Sequence, residues 1–125
     1  MYKLLYEVLE KIRIRHGLFI GNKSIEKLAM FINGFECASM TYESDKAKST
    51  FNFKFQTYIE LKLEKYDSKH WSQLLLDGRT EDEAFEMFYK CFDEFKSYVR
   101  DENDFEKLLK KHEENFLLFL NNNLD

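Results

Sequence analysis

Apolar residues recur at helical spacing along most of the chain and divide it into a series of amphipathic segments. Over 2–14, Leu5, Val8, Leu9 and Ile12 follow the i, i+3, i+4, i+7 rhythm of a helix that buries one face. Glycines then break the rhythm, and His16-Gly17-Leu18-Phe19-Ile20-Gly21-Asn22 reads as a short structured loop. Ser24 is placed to cap the next helix, whose inner face is Ile25, Leu28, Ala29, Ile32 and Phe35. Gly34, late in that helix, either weakens it or lets another backbone come close.

The stretch 41–49 is polar and of mixed charge, the pattern of a mobile loop. Beyond it two periods compete. Phe51, Phe53 and Phe55 alternate with Asn52, Lys54 and Gln56 as a strand would, whereas Phe51, Phe55, Tyr58, Ile59 and Leu63 keep helical spacing through a run of good helix formers. Helix is the preferred reading, with a strand at 50–55 as the alternative. A short helix over 70–76 carries Trp71, Leu74 and Leu75 and stops at Gly78. Thr80-Glu81-Asp82-Glu83 is a capping box and opens a long helix. Its core stripe is Ala84, Phe85, Phe88, Phe92, Phe95 and Val99, with Glu86, Lys90, Asp93 and Ser97 facing water. A last helix over 103–120 buries Phe105, Leu108, Leu109, Phe116 and Leu120. The fold class expected is all-α, five to six helices in a single helical domain over 1–125 with an aromatic-rich core.

Composition agrees with that outline. The 125 residues include 13 Phe, 7 Tyr and 1 Trp against 4 Gly and no Pro, which excludes disordered, linker-like and collagen-like chains. Charge is uneven. Residues 1–80 hold 13 Lys and Arg against 10 Asp and Glu (+3), and residues 81–125 hold 6 against 13 (−7). An acidic surface repels nucleic acid and steers basic partners, although acids also simply solvate helix faces. Cys37 and Cys91 stand far apart without zinc spacing and read as two free, buried thiols in a reducing compartment. The first residues lack the apolar core of a signal peptide, and the longest apolar run, Phe116-Leu117-Leu118-Phe119-Leu120, is too short to span a bilayer. A cytoplasmic protein with no membrane partner is expected.

Catalytic chemistry has few candidates. His16, His70 and His112 are isolated from one another, so neither a metal site nor a bound cofactor is expected. Neither cysteine is near a histidine in sequence, and adjacent acids such as Asp93-Glu94 and Glu113-Glu114 lie on amphipathic helices where solvation is the usual state. The segment 10–21 resembles the RKRPGMYIG phrase of DNA gyrase B-type ATPases, but the magnesium-binding asparagine helix and the Asp-x-Gly-x-Gly loop of that family have no counterpart here. Phe51, Phe53, Lys54, Phe55, Tyr58 and Lys62 interleave aromatic and basic residues as a nucleic-acid platform does. A helix core with snorkelling lysines accounts for them equally, and the net charge of −4 argues against direct nucleic-acid binding.

A more extensive likeness covers about residues 4–95. Ile12-Arg13-x-Arg15-x-Gly17-Leu18-Phe19-Ile20-Gly21-x-x-Ser24-Ile25-x-x-Leu28-x-x-Phe31-Ile32-x-Gly34-Phe35 resembles a small bacterial family that opens IRxRPGMYIGxxSIxxLxxFIxGY. Trp71-x-x-Leu74-Leu75 and Glu81-Asp82-Glu83-Ala84-Phe85-x-x-Phe88-x-x-x-Phe92-Asp93-Glu94-Phe95 are similar to its later segments. His16 stands where the family has proline, and Leu18-Phe19 where it has Met-Tyr. Such proteins resemble immunity proteins of bacterial polymorphic toxin systems, including contact-dependent growth inhibition. The resemblance implies a stoichiometric inhibitor, not an enzyme, whose partner is a cognate toxin C-terminal domain, many of them basic nucleases. On that reading the toxin-binding candidates are Asp82, Glu83, Glu86, Asp93 and Glu94, with Tyr89 as an anchor. Trp71 and Arg15, Gly17, Gly21 and Gly34 are assigned to the fold. A homodimer through exposed aromatics and a non-catalytic nucleic-acid-binding or adaptor role remain the alternatives.

Overall fold

Six helices follow one another along the chain: α1 (Lys3–Phe19), α2 (Ile25–Ser39), α3 (Phe51–Leu63), α4 (Trp71–Leu76), α5 (Glu81–Tyr98) and α6 (Glu102–Asn122). The computed structural model describes residues 2–39 and 49–123, and among them there is no strand. The loop expected over 41–49 lies outside the described residues except for Ser49. The fold is all-α, a single helical domain built on a buried aromatic cluster.

Capping fixes where the central helices start. The Thr50 hydroxyl accepts from Phe53 N, and the Glu36 carboxylate, reaching over from α2, accepts from Phe51 N at 2.7 Å and Asn52 N at 2.8 Å. With the first amides of 50–55 satisfied in this way, the strand alternative loses to helix. Phe51 and Phe55 then fall on one side, stacked with centroids 5.1 Å apart, while Phe53 points elsewhere and meets Phe105. The Thr80–Glu83 capping box forms as its sequence indicates, and every residue of the expected α5 stripe is buried.

The core is the meeting of these two helices. Phe51 stands edge-on to Phe92 and Phe95 of α5 at 5.9 and 5.4 Å, and Phe55 to Phe88 and Phe95 at 5.2 and 5.6 Å. Trp71 closes the cluster against Phe55 and Phe88, as expected of a core tryptophan. Edge-to-face pairs contribute beyond their buried area, and this set joins α3, α4 and α5 in one contact surface. Lys54 and Tyr58 are also buried. The Lys54 ammonium pairs with Glu102 and lies over the Tyr2 and Phe105 rings. Phe51, Lys54, Phe55 and Tyr58 therefore pack inward, while Phe53 is half-buried.

Three expectations need correction, and one open alternative, at Gly34, is decided. The presumed loop 16–22 begins as helix: α1 kinks at Arg15 (φ −125°, ψ 48°) and then completes one more turn through Phe19. That turn closes when Ile20 N and Gly21 N both donate to His16 O, with Gly21 in the left-handed region at φ 89°. Gly34 admits no close backbone, because a Cβ there would meet nothing within 4 Å. Cys37 is exposed, on the side of α2 away from Ile25, Leu28 and Ile32, and Cys91 alone is buried. Leu120 is 39% exposed, because α6 packs chiefly on α3, with Tyr66 against Phe116 and Phe119 beyond the end of that helix.

These contacts separate strong from weak positions. Phe92→Ala should cost about 3–5 kcal/mol in urea unfolding, and Leu118→Ala, on the open side of α6, less than about 0.5 kcal/mol. Gly34→Ala, in an open mid-helix site, should raise stability by about 0.5–1 kcal/mol.

Candidate protein-binding surfaces

The acidic residues picked out on α5 do not share one face. Asp82, Glu86 and Asp93 fall along one side of the helix, with Lys90 between them, while Glu83 and Glu94 are turned about a quarter of the circumference away. Most of them are already engaged. Glu86 pairs with Lys23 at 2.9 Å. Asp93 receives Arg13 Nη2 at 2.9 Å and lies 3.7 Å from Lys96, and Glu10 holds both of those cations from α1. Glu94 is paired with Lys62 and accepts the Tyr58 hydroxyl at 3.0 Å, contacts that hold its carboxyl below the usual range. Glu83 closes the capping box, and its carboxyl is lowered by the Thr80 amide and hydroxyl. Among the described residues, Asp82 is the member of this group without an ion-pair or capping partner.

Tyr89 is no surface anchor. Its side chain is buried, its hydroxyl donates to Leu9 O at 2.7 Å, and Arg13 lies 4.5 Å over its ring. Helical spacing puts position 89 between the outer acids and the inner stripe, and the closeness of α1 decides the matter in favour of the core. Arg13 is the brace here: it bonds Glu10, Asp93 and the Tyr89 carbonyl at once.

A second surface has more built structure. A cleft of about 630 Å³ opens between α2, α3 and the segment 68–70, lined by Asn33, Glu36 and Cys37 on one side and Asn52, Phe53, Gln56 and Glu60 on the other. Asn52 and Gln56, one turn apart on α3, position α4 beneath it. The Asn52 Oδ1 accepts from Trp71 Nε1 at 2.8 Å, and Gln56 Oε1 accepts from Trp71 N at 2.6 Å while its amide donates to Lys69 O at 2.9 Å. His70 caps α4: its Nδ1 accepts from Ser72 N at 3.2 Å, which leaves the proton on Nε2, 3.3 Å from Asn52 Oδ1. Burial pushes the His70 imidazole below the usual histidine range. Burial pushes the Glu36 carboxyl the other way, up, against the pull of the two α3 amides it caps. Ser68, at the rim, adopts a left-handed φ of 68° that a non-glycine residue holds only at a cost.

Apart from Phe53, weighed as part of a nucleic-acid platform, and His70, weighed as a metal ligand, none of the cleft residues is singled out from sequence as a binding residue. Glu36 and Asn52 are far apart in the chain and carry no motif, and Asn52 and Gln56 are masked by the alternating phenylalanines between them. Among the described residues no group of three or more His, Cys, Asp or Glu could hold a metal ion, and no helix is long and apolar enough to cross a membrane. The chain matches no family model, no curated protein and no solved structure.

Two measurements check this geometry. A thiol reagent should titrate one cysteine in the native protein, Cys37, and the second only after unfolding, since burial both hides Cys91 and raises its thiol. Because the folded state keeps His70 neutral, the unfolded chain takes up this proton first on acidification, and the site loses stability as pH falls below the ordinary histidine range. His70→Asn, which retains a capping side chain, should close part of its stability gap to wild type between about pH 7.5 and about pH 5, read by urea unfolding.

Proposed function

We propose that this chain is an immunity protein, a stoichiometric inhibitor that binds a cognate toxin domain of its own cell. It acts by occupying a surface and turns over no substrate. The likeness of 12–35, 71–75 and 81–95 to the immunity family supports this reading, and those residues form α1, α2, α4 and α5, which pack as neighbours.

The observation that carries the choice of partner is the set of exposed acids left without cations. Asp82 on α5 and Glu106, Glu113 and Glu114 on α6 are exposed and have no ion-pair partner among the described residues. The acids nearer α1 and α3 are neutralised by Lys23, Arg13, Lys96 and Lys62. α6 also exposes Lys107, Lys110 and Lys111, but residues 81–125 as a whole hold 13 Asp and Glu against 6 Lys and Arg, a balance that favours a basic partner, of which a nuclease toxin is the leading case, and gives fast association at low salt.

Co-expression with the toxin domain encoded beside it should restore growth and yield a one-to-one complex. The triple variant Asp82→Lys, Glu113→Lys, Glu114→Lys removes charge that braces nothing in the fold. It should lower the association rate about tenfold at low salt, with the difference fading as salt rises. A demonstrably toxic neighbour with neither rescue nor complex would overturn the proposal.

A further inference from the structure

Glu36 stands apart from the other acids of the protein. It is half-buried beside the cleft, and no lysine or arginine lies within ion-pair distance of it among the described residues. Among the described residues its partners are Phe51 N and Asn52 N, one on each oxygen, so each oxygen keeps a lone pair. The N-terminus of α3 compensates part of the charge, but its proton affinity stays raised, and the charge is felt by the half-buried phenols of Tyr2 and Tyr6. A cation arriving from the cleft would meet a carboxylate that has lost water and gained no counter-ion.

The rest of the cleft suits a peptide. Asn52 spends its carbonyl on Trp71 and His70 and keeps its NH2 group unengaged, and the Asn33 amide meets only the Cys37 thiol at 3.9 Å. Side-chain amides offer a donor and an acceptor together, the pair that a main-chain peptide group requires. The half-buried Phe53 ring forms part of the wall, a surface on which a guanidinium can lie. Glu60, whose oxygens already bond His112 Nε2 at 2.8 Å and the Gln56 amide at 3.1 Å, marks the other end, eight residues beyond Asn52 along α3 and hence on the order of 12 Å away. The volume, about 630 Å³, is in the range of sites that enclose several side chains. Two carboxylates against the single cation Lys69 disfavour a phosphate-bearing occupant.

We infer that this cleft receives an extended basic segment of a protein partner, with an arginine guanidinium on the open lone pairs of Glu36 and the partner's main chain on the amides of Asn33 and Asn52. Identifying that partner as the toxin domain rests on the immunity reading; the cleft's preference for a guanidinium does not. The anchoring contact is thereby moved from α5, whose acids hold the fold together, to a carboxylate that the fold leaves uncompensated.

Cys37 makes the cleft measurable, since it lines the wall and is exposed. The probe is acetyl-Gly-Arg-Gly-Arg-Gly-amide, with the peptide bearing citrulline in place of both arginines as control. The arginine peptide should slow reaction of Cys37 with a thiol reagent at least threefold in a saturable manner, and the citrulline peptide should not. Glu36→Gln should abolish the protection. Because Glu36 also caps α3, Asn33→Trp serves as a second variant that plugs the cleft from an exposed position and should abolish it as well. Equal protection by both peptides, or none by either, would overturn the inference. With the toxin domain, Asn33→Trp should weaken capture at least tenfold. Undiminished capture would remove the cleft while leaving the immunity reading in place, and arginine-specific protection with no toxin captured by wild type would do the reverse.

Discussion

The edge-to-face packing of Phe51 and Phe55 against Phe88, Phe92 and Phe95 is the contact on which the remaining geometry depends. For both rings to reach α5, residues 51 and 55 must lie one helical turn apart on the same side, so α3 has to begin at Phe51. That start leaves the first amides of α3 without intrahelical partners, and Glu36 and Thr50 supply them. The same register turns Asn52 and Gln56 towards α4, where they hold the indole and main-chain N–H groups of Trp71. Trp71 in turn completes the aromatic cluster. The cleft is thus a by-product of core packing: its polar wall is the set of groups that the helix starts require.

Helical periodicity and capping chemistry made much of this legible. The Thr80–Glu83 box located α5 to the residue, and the stripe from Ala84 to Val99 followed from spacing alone. The choice between strand and helix at 50–55 could not be settled by local pattern, because the deciding interaction comes from Glu36 on another helix. The kink at Arg15 and the extra turn to Phe19 were hidden for a different reason: two glycines in seven residues look like a loop, yet only Gly21 uses a left-handed conformation. The exposure of Leu120 depends on α6 outrunning α3, a matter of relative length that no single helix displays.

Surface charge divides into two kinds. The network of Glu10, Arg13, Asp93 and Lys96, together with Lys23–Glu86 and Lys62–Glu94, ties α5 to its neighbours. Of the acids that sequence alone marks as partner-facing, Glu86, Asp93 and Glu94 take part in these internal braces and Glu83 in a cap, while Asp82 does not. Among the described residues the acids without an ion pair include Asp82, Glu106, Glu113 and Glu114 on α5 and α6 and Glu7, Glu26 and Glu64 elsewhere, which water solvates, and Glu36, which it solvates only in part. On the proposed function, the first kind would attract a basic partner over distance and the second would give it a place to be held. Steering and anchoring are assigned on these grounds to different parts of the molecule.

Hydrogen exchange of the chain, alone and with an excess of the toxin domain encoded beside it, tests the proposed function together with the place of contact. The account predicts slowed exchange in peptides covering 33–37, 50–56 and 68–70. Unchanged exchange throughout the chain would contradict the binding function itself, and slowing confined to α5 would contradict the assignment of the anchor to Glu36.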